Sequence, residues 1–311
     1  MSVENILVIK HGSLGDWIQA TGAFKLIRTR YPNANIIMLT QPHYLALAHG
    51  CTWFNQVFLD SRLPLYKLIS NLKVIKKLCS YNYDHVYDLQ CSNRTNIYYK
   101  LIHKKVKNWY GRATGCSHYV AFAENAHSLE LSRDIIKASG ITDLPTPDIT
   151  WLKTQKFREK IKSLGQFVVF IPGSSAKHSA KRWLAERYAQ VIDWLNEKKI
   201  KSVLIGTEID RNIIDRIIAK CKTSPINLIN KAHFAETAEL ARLSSLVIGS
   251  DTGPMHIAGA TNTTTLVLFT GASNPEKSKP WGINIHVLTA NNAKLITTNT
   301  VIAKITMLLN L

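Results

Sequence analysis

The sequence predicts an α/β protein with two Rossmann-like, doubly wound domains that face each other across a cleft. Short apolar runs alternate with helical patterns, a Pro-containing segment interrupts this alternation near the middle, and a second series then begins. Such alternation indicates crossover connections and parallel sheets. With 311 residues, 46% of them hydrophobic, the chain is long enough for two separate cores.

The first series predicts an N-terminal domain over residues 1–150. It opens with the apolar strand 6–9, and apolar residues at steps of three and four from 65 to 78 predict an amphipathic helix. The other strands predicted in this half are 36–39, 57–59 and 85–89, and a further helix is predicted over 96–104.

The pattern breaks around Pro145 and Pro147, and we therefore expect a linker over 151–165. A C-terminal domain is predicted over 166–311, because a second series of strands and helices follows. Its predicted strands are 167–171, 202–205, 226–229, 246–248, 265–269 and 286–288, and its clearest helices are 183–198 and 298–309.

Charge and cysteine content narrow the range of partners and compartments. The chain has 39 Lys and Arg against 21 Asp and Glu, a net charge of +18. That balance favours nucleic acid, anionic lipid or phosphorylated sugar without choosing among them, and a solvated basic surface remains an alternative. Five cysteines without a Cys-x-x-Cys pair, and no apolar run long enough to span a membrane, predict a reduced, cytoplasmic protein.

The loop after the first strand reads Lys10-His11-Gly12-Ser13-Leu14-Gly15-Asp16. It lacks the Gly-x-Gly-x-x-Gly pattern, which argues against a dinucleotide enzyme. Asp16, at the start of a helix, could accept a proton from an attacking hydroxyl. It could equally form a capping box with Ser13, and both roles stay open.

The loop after strand 167–171 contains Ser174 and Ser175 and leads to Lys181. Hydroxyl groups at a strand-to-helix loop and a nearby lysine suit a phosphate, and simple helix capping is the alternative. Strand 246–248 leads to Asp251-Thr252-Gly253-Pro254-Met255-His256, a helix start whose backbone N–H groups can bind an anion. Glu208 follows another strand, where a carboxylate can bind ribose hydroxyls or simply face solvent.

In this order, the motifs resemble those of the heptosyltransferases of glycosyltransferase family 9. The resemblance covers nearly the whole chain, with small departures at Leu184, where many members have Pro, and at His11-Gly12. Its motifs are Ser13-Leu14-Gly15-Asp16, Pro172-Gly173-Ser174-Ser175, Lys181-Arg182-Trp183, Asp251-Thr252-Gly253-Pro254-Met255-His256 and Thr270-Gly271-Ala272-Ser273-Asn274-Pro275. The stretch from Tyr83-Asp84 to Asp88-Leu89-Gln90 is also similar to the family.

The resemblance implies a GT-B type, inverting transferase that uses an ADP-activated heptose without a metal or another cofactor. Asp16 would be the general base, and Lys181 would stabilise the leaving diphosphate. The resemblance also implies the donor site: Ser174, Ser175, Lys181, Thr252, Gly253 and His256 would hold the diphosphate, and Glu208 and Asp251 the ribose or sugar hydroxyls.

The acceptor is expected on the N-terminal domain, because residues 67–112 contain ten Lys and Arg against two Asp. An anionic lipopolysaccharide core would be attracted to this segment, with peripheral contact at the inner membrane. We expect Ser13, Gly15, Arg94 and Arg112 to bind the acceptor. Nucleic acid is not expected, since no RNA-binding motif is present. A transferase with another nucleotide sugar, or a non-catalytic nucleic-acid or anion-binding protein, is the alternative.

Overall fold

The structure is a computed structural model that describes residues 3–64, 68–122, 127–174 and 181–311. It divides into two units, Met1–Trp151 and Leu152–Leu311. Each unit has its own six-stranded sheet, and every strand pair in both sheets is parallel. The predicted α/β fold with two doubly wound sheets is therefore confirmed.

The first sheet has the strand order β3-β2-β1-β4-β5-β6. Helices α4 and α5 cover one face, where Val74, Leu78, Tyr98 and Ile102 pack on strand residues such as Leu7. The strands are β1 Asn5–Ile9, β2 Asn35–Thr40, β3 Gln56–Leu59, β4 Tyr83–Asp88, β5 Val106–Gly111 and β6 His118–Tyr119; the helices are α1 Leu14–Gln19, α2 Thr21–Arg30, α3 Leu45–Gly50, α4 Leu68–Cys79, α5 Asn93–Ile102 and α6 Ser128–Ala138.

The second sheet has the order β12-β11-β10-β7-β8-β9, which is the same topology as the first when counted from its own first strand. Its central strands are buried along their whole length, so they consist of continuous apolar runs. The strands are β7 Phe167–Ile171, β8 Lys201–Leu204, β9 Ile226–Asn227, β10 Leu246–Ser250, β11 Thr265–Phe269 and β12 Ile285–Thr289; the helices are α7 Gln155–Lys162, α8 Ala185–Glu197, α9 Arg211–Lys220, α10 Phe234–Leu243, α11 Gly253–Ala260, α12 Pro275–Ser278 and α13 Thr298–Leu309.

Two details differ from the sequence-based expectation. The helix predicted over 96–104 ends at Ile102, and strands β5 and β6, which were not predicted, follow it. The segment 151–165, predicted as a linker, contains α7, whose Ile161 is buried in the core of the second unit. Within the described residues, no helix has the length and apolar character needed to cross a membrane.

A buried carboxylate attaches α7 to the second unit. Glu239 on α10 is 3% exposed and accepts hydrogen bonds from Arg158 on α7, at 2.8 Å, and from Arg242, at 3.0 Å. Arg242 also donates to the backbone oxygen of Leu152, at the start of the unit. One side chain therefore joins α10 to the segment that precedes β7.

We expect Glu239→Ala to lower the free energy of unfolding by about 2 to 3 kcal/mol, because it leaves two partly buried guanidinium groups without their carboxylate. The matched control is Glu186→Ala, which removes the exposed pairs with Arg216 and Lys220 and should cost less than about 1 kcal/mol. Urea unfolding of both variants measures the difference, and equal losses would contradict the role given to Glu239.

Candidate active site

Each sheet has one switch point, which is the place where its crossover connections change direction. It lies between β1 and β4 in the first unit and between β7 and β10 in the second, and both pairs are parallel neighbours. In doubly wound folds, ligands bind outside the carboxyl ends of the strands at this point. All four connections there, each taken with the start of the helix that follows, carry predicted site residues: those after β1, β4, β7 and β10.

The loop after β1 is held by the loop after β4. The backbone N–H groups of His11 and Gly12 both donate to the Gln90 side-chain oxygen, at 2.9 and 3.0 Å. The buried Lys10 donates from Nζ to the backbone oxygen of Leu89, at 2.9 Å. Gly12 has φ +96°, and a Cβ there would lie 2.8 Å from the Tyr44 ring, so this position favours glycine.

Asp16 is the N3 residue of a capping box whose N-cap is Ser13. Its Oδ2 accepts hydrogen bonds from the Ser13 backbone N–H, at 3.2 Å, and from the Ser13 hydroxyl, at 2.9 Å. Its charge also affects neighbours: burial and then Asp16 raise the pKa of Tyr44 to about 12. Burial lowers the pKa of Lys10, and the charge of Asp16 opposes that shift. These contacts are those of a capping box, and a carboxylate in a capping box can also act as a base.

Asp60, at the carboxyl end of β3, is the centre of a buried network. Its carboxylate accepts two hydrogen bonds from Arg94, both at 2.8 Å, and one from the Tyr98 hydroxyl, at 2.5 Å. His11 Nε2 lies 3.0 Å from the same carboxylate. Burial alone would raise the pKa of Asp60, but the hydrogen bonds from His11, Arg94 and Tyr98 hold it well below its usual range.

The structure places the predicted acceptor residues at one edge of the first sheet. Ser13 and Gly15 follow β1, Arg94 follows β4, and Arg112 follows β5. Arg94 also donates to the Leu63 backbone oxygen and to the Asn71 side chain, so its geometry favours a positioning role over acceptor contact. Arg112 is half-buried, and no carboxylate of the described residues forms an ion pair with it.

Much of the basic segment lies elsewhere. Lys104 and Lys105 belong to the 3₁₀ turn His103–Lys105 just before β5, and Lys107 is the second residue of that strand. They therefore lie at the amino edge of the sheet, opposite the loops after β1 and β4. Lys67 lies outside the described residues.

In the second unit, Lys181 and Asp251 form an ion pair. Lys181 Nζ lies 2.5 Å from Asp251 Oδ2, and the two side chains are 18% and 6% exposed. The Ser278 hydroxyl donates to the same carboxylate oxygen, at 3.3 Å. Asp251 thus fixes the position of the lysine beside the end of β10, where α11 begins.

The loop after β7 is positioned by Arg182. Its Nε donates to the Ser174 hydroxyl at 3.2 Å, its Nη2 donates to the Ser174 backbone oxygen at 2.9 Å, and Nη2 lies 3.7 Å from Asp210. A Cβ at Gly173 would lie 2.2 Å from the Asp210 carboxylate, which explains the glycine. Trp183 is buried and donates to the Ile296 backbone oxygen. Ser175 lies outside the described residues.

The helix α11 starts at Gly253 with Thr252 as its N-cap, and the Thr252 side chain makes no capping hydrogen bond. His256 lies in the first turn and is 7% exposed. This helix begins at the carboxyl end of β10, so its positive end lies beside the Lys181–Asp251 pair. A Cβ at Gly249 would lie 2.5 Å from the Ile171 backbone oxygen, so β7 and β10 require glycine where they approach.

Glu208 follows β8 at the same edge of the sheet. Its carboxylate accepts two hydrogen bonds from Arg211, at 2.5 and 2.8 Å, and one from Asn230, at 2.7 Å. These bonds lower the pKa of Glu208 to about 2, so the group is ionised near neutral pH. Within the described residues, no group of three or more His, Cys, Asp or Glu side chains could hold a metal ion.

Sequence reasoning did not predict three polar contacts of these edges. Gln90, Asp60 and Ser278 each bind a residue of a recognised motif, but they are 79, 49 and 27 residues away from it in the chain. The position of Gln90 and Asp60 after apolar strands could have indicated them, and Gln90 also ends a stretch that resembles the family.

Two doubly wound sheets, each with its polar loops at the switch point, define the GT-B type of α/β protein. The family model of glycosyltransferase family 9 (heptosyltransferase) matches residues 71–303. The chain therefore belongs to this family of glycosyltransferases.

Individual proteins are similar over nearly the whole chain. Lipopolysaccharide heptosyltransferase 3 of Escherichia coli K12 is 28% identical over 298 residues, which cover 89% of this chain and 86% of the relative. The crystal structure of a family 9 glycosyl transferase from Veillonella parvula has a TM-score of 0.85 at 20% identity, covering 100% and 99%. The E. coli heptosyltransferase WaaC with ADP has a TM-score of 0.79 at 17% identity, covering 98% and 99%.

We expect Asp60→Asn to destabilise the protein by about 3 kcal/mol, because it leaves Arg94 and its neighbours without a buried charge partner. The pKa of Asp60 is lowered on folding, so its contribution to stability is present above its ordinary pKa of 3.8 and is lost as the pH falls below that value. The free energy of unfolding, measured from pH 6 to about pH 3, should therefore fall less steeply with acid in the variant than in the wild type.

The control is Asp84→Asn, whose ion-pair partner Lys107 is exposed. It should cost less than about 1 kcal/mol. An Asp60→Asn protein as stable as this control at pH 6 would show that the network does not stabilise the loop after β1.

Proposed function

We propose that this glycosyltransferase moves a heptose from ADP-heptose to a hydroxyl of a lipopolysaccharide-core acceptor, with inversion at the anomeric carbon and without a metal ion. The observation that carries the proposal is the Lys181–Asp251 pair beside the start of α11, at the switch point of the second sheet. Similar proteins named as lipopolysaccharide heptosyltransferases, and one solved with ADP, support this donor and this acceptor class.

The second unit would hold the donor. A departing diphosphate needs positive charge, which Lys181 and the N-terminal end of α11 supply together. Thr252 can donate its hydroxyl to a phosphate oxygen, because that group makes no cap within the helix. Asp251 would keep Lys181 in place and bind a sugar hydroxyl, while Glu208 would bind the ribose. Ser174, Ser175, Gly253 and His256 complete the proposed donor set.

The first unit would bind the acceptor and supply the base. A single displacement needs one carboxylate near the attacking hydroxyl, and Asp16 is the proposed group. Its hydrogen bonds with Ser13 fix the orientation of the carboxylate, so cap and base can be the same side chain. Arg112 is the proposed contact for an anionic group of the acceptor, with Ser13 and Gly15 beside the hydroxyl. The enzyme would act at the cytoplasmic face of the inner membrane.

ADP should bind equally well in the presence and in the absence of EDTA. Lys181→Ala should weaken ADP binding by roughly tenfold to a hundredfold, the effect of losing a hydrogen bond to a charged group. Calorimetry measures both, with Lys198→Ala, an exposed lysine of the same unit, as the control. Loss of ADP binding on chelation would overturn the metal-independent mechanism, and a panel of ADP- and UDP-sugars would identify the donor.

Replacing Asp16 tests its proposed role as the base. Asp16→Asn keeps the size of the side chain and removes its capacity to accept a proton, so kcat should fall by roughly two to four orders of magnitude. ADP affinity should be close to that of the wild type, because the proposed diphosphate contacts belong to the second unit.

Thr297→Ala is the matched control, since it removes a capping hydrogen bond from the Thr300 backbone N–H at the start of α13, a helix that carries no proposed site residue. It should cost about 1 kcal/mol of stability and leave most of kcat intact. A stable and fully active Asp16→Asn enzyme would show that Asp16 is only a helix cap.

A further inference from the structure

The outer face of α4, α5 and the following 3₁₀ turn is strongly basic. We call it the lysine face, and its members are Lys73, Lys76, Lys77, Lys100, Lys104 and Lys105, all exposed. Asp84 and Asp88 are the only acidic residues between positions 71 and 112. Asp88 is fully buried, and Asp84 pairs with Lys107 at 2.6 Å, so neither carboxylate neutralises the lysine face.

The net charge of the first unit is concentrated in this segment. Residues 71–112 contain nine Lys and Arg against two Asp, whereas the rest of the first unit contains eight basic and eight acidic residues. A solvated surface without a partner has no reason to segregate charge in this way, because interspersed charges of both signs are equally soluble. The segregation therefore indicates an extended anionic partner.

Two large apolar side chains lie on the same helices and face solvent. Leu72 on α4 is 57% exposed and Leu101 on α5 is 49% exposed, whereas Val74, Leu78, Tyr98 and Ile102 on the opposite sides of these helices are buried. Lysines next to exposed leucines are typical of helices that lie in a membrane interface. A nucleic acid would use the lysines but has no use for the leucines.

The lysine face extends along the whole height of the sheet. Helix α4 leads from the carboxyl end of β3 to the amino end of β4, and Lys73 lines a cavity of about 510 Å³ together with Asp60 and Leu63 at the carboxyl edge. At the amino edge, Lys104, Lys105 and Lys107 line a second, open recess of about 500 Å³. A flat anionic surface against this face would therefore also lie beside the loops at the carboxyl edge.

We propose that the lysine face, with Leu72 and Leu101, docks the first unit on the anionic phospholipid bilayer. The lysines contact lipid phosphates, and the two leucines enter the boundary between head groups and acyl chains. The inference rests on the proposed function in one respect, namely that a lipid-linked acceptor places the reaction at a membrane. Docking by this face would bring the carboxyl edge of the first sheet to such an acceptor.

The test is co-sedimentation of the full chain with vesicles, in the absence of any substrate. Vesicles of phosphatidylcholine with about one third phosphatidylglycerol should bind the protein at about 0.15 M salt, and pure phosphatidylcholine vesicles should not. The variant Lys76→Glu/Lys100→Glu/Lys104→Glu should need roughly a hundredfold more anionic lipid for half binding, since each of the three lysines contributes about a factor of five. Leu72→Ser/Leu101→Ser should weaken binding without changing its dependence on salt.

The matched control is Lys198→Glu/Lys201→Glu/Lys222→Glu, which makes the same change in net charge with three exposed lysines of the second unit. It should bind vesicles like the wild type, and ADP binding by all variants should be unchanged. Equal losses in both triple variants, or binding to pure phosphatidylcholine, would overturn the proposal. So would tighter binding to RNA than to vesicles that is abolished by the first triple variant. Vesicle binding needs no turnover, so its failure is distinct from a failure of the proposed reaction.

Discussion

In each sheet, the connections after the first and the fourth strand leave in opposite directions, so their two loops diverge from one point of the carboxyl edge. The helix that follows one of these loops does not cover the other loop, so the backbone at the switch point stays accessible. Residues of very different sequence position are thereby brought together. His11 and Gln90 are hydrogen-bonded at this point in the first unit, and Ser174 and Asp251 lie on its two sides in the second.

The two units stabilise these loops with different chemistry. In the first unit, the amide of Gln90 and the buried ammonium of Lys10 bind backbone groups, and Asp60 holds His11 and Arg94. Such contacts fix a loop and have no reason to change during a reaction. In the second unit, the central contact is the Lys181–Asp251 ion pair, and the lysine is still 18% exposed. A partly exposed lysine that is held by a carboxylate can exchange part of that contact for a phosphate.

The sequence predicts the central strands well and the polar elements poorly. Strands β7 and β11 match the predicted ranges 167–171 and 265–269, because a strand buried on both faces is a continuous apolar run. Strand β5 was missed, because Lys107 and Asn108 interrupt its apolar pattern near the amino edge. Helix α7 was missed because only Ile161 of its eight residues is buried.

The same distinction applies to the candidate site. Motif residues could be predicted, because a loop after a buried strand lies at the carboxyl edge whatever the rest of the fold does. The partners of those residues could not, since the contacts of Gln90, Asp60 and Ser278 depend on tertiary packing between distant segments. The composition indicated a basic segment. The direction of the strands was needed to show that Lys104, Lys105 and Lys107 lie at the amino edge of the sheet, whereas Arg94 and Arg112 lie at the carboxyl edge.

Charge in the first unit therefore acts over two ranges. At the carboxyl edge, Asp60 and Arg94 form an ion pair at 2.8 Å, with the carboxylate 1% exposed, so their field is local and largely protected from salt. On the lysine face the charges share one sign and face solvent, so their field extends about one Debye length, roughly 8 Å at physiological ionic strength. A local, buried ion pair suits the positioning of the loop after β1, and a one-signed face suits attraction to an extended anionic surface. Because different residues carry the two fields, attraction to a surface can change without disturbing the geometry around Asp16.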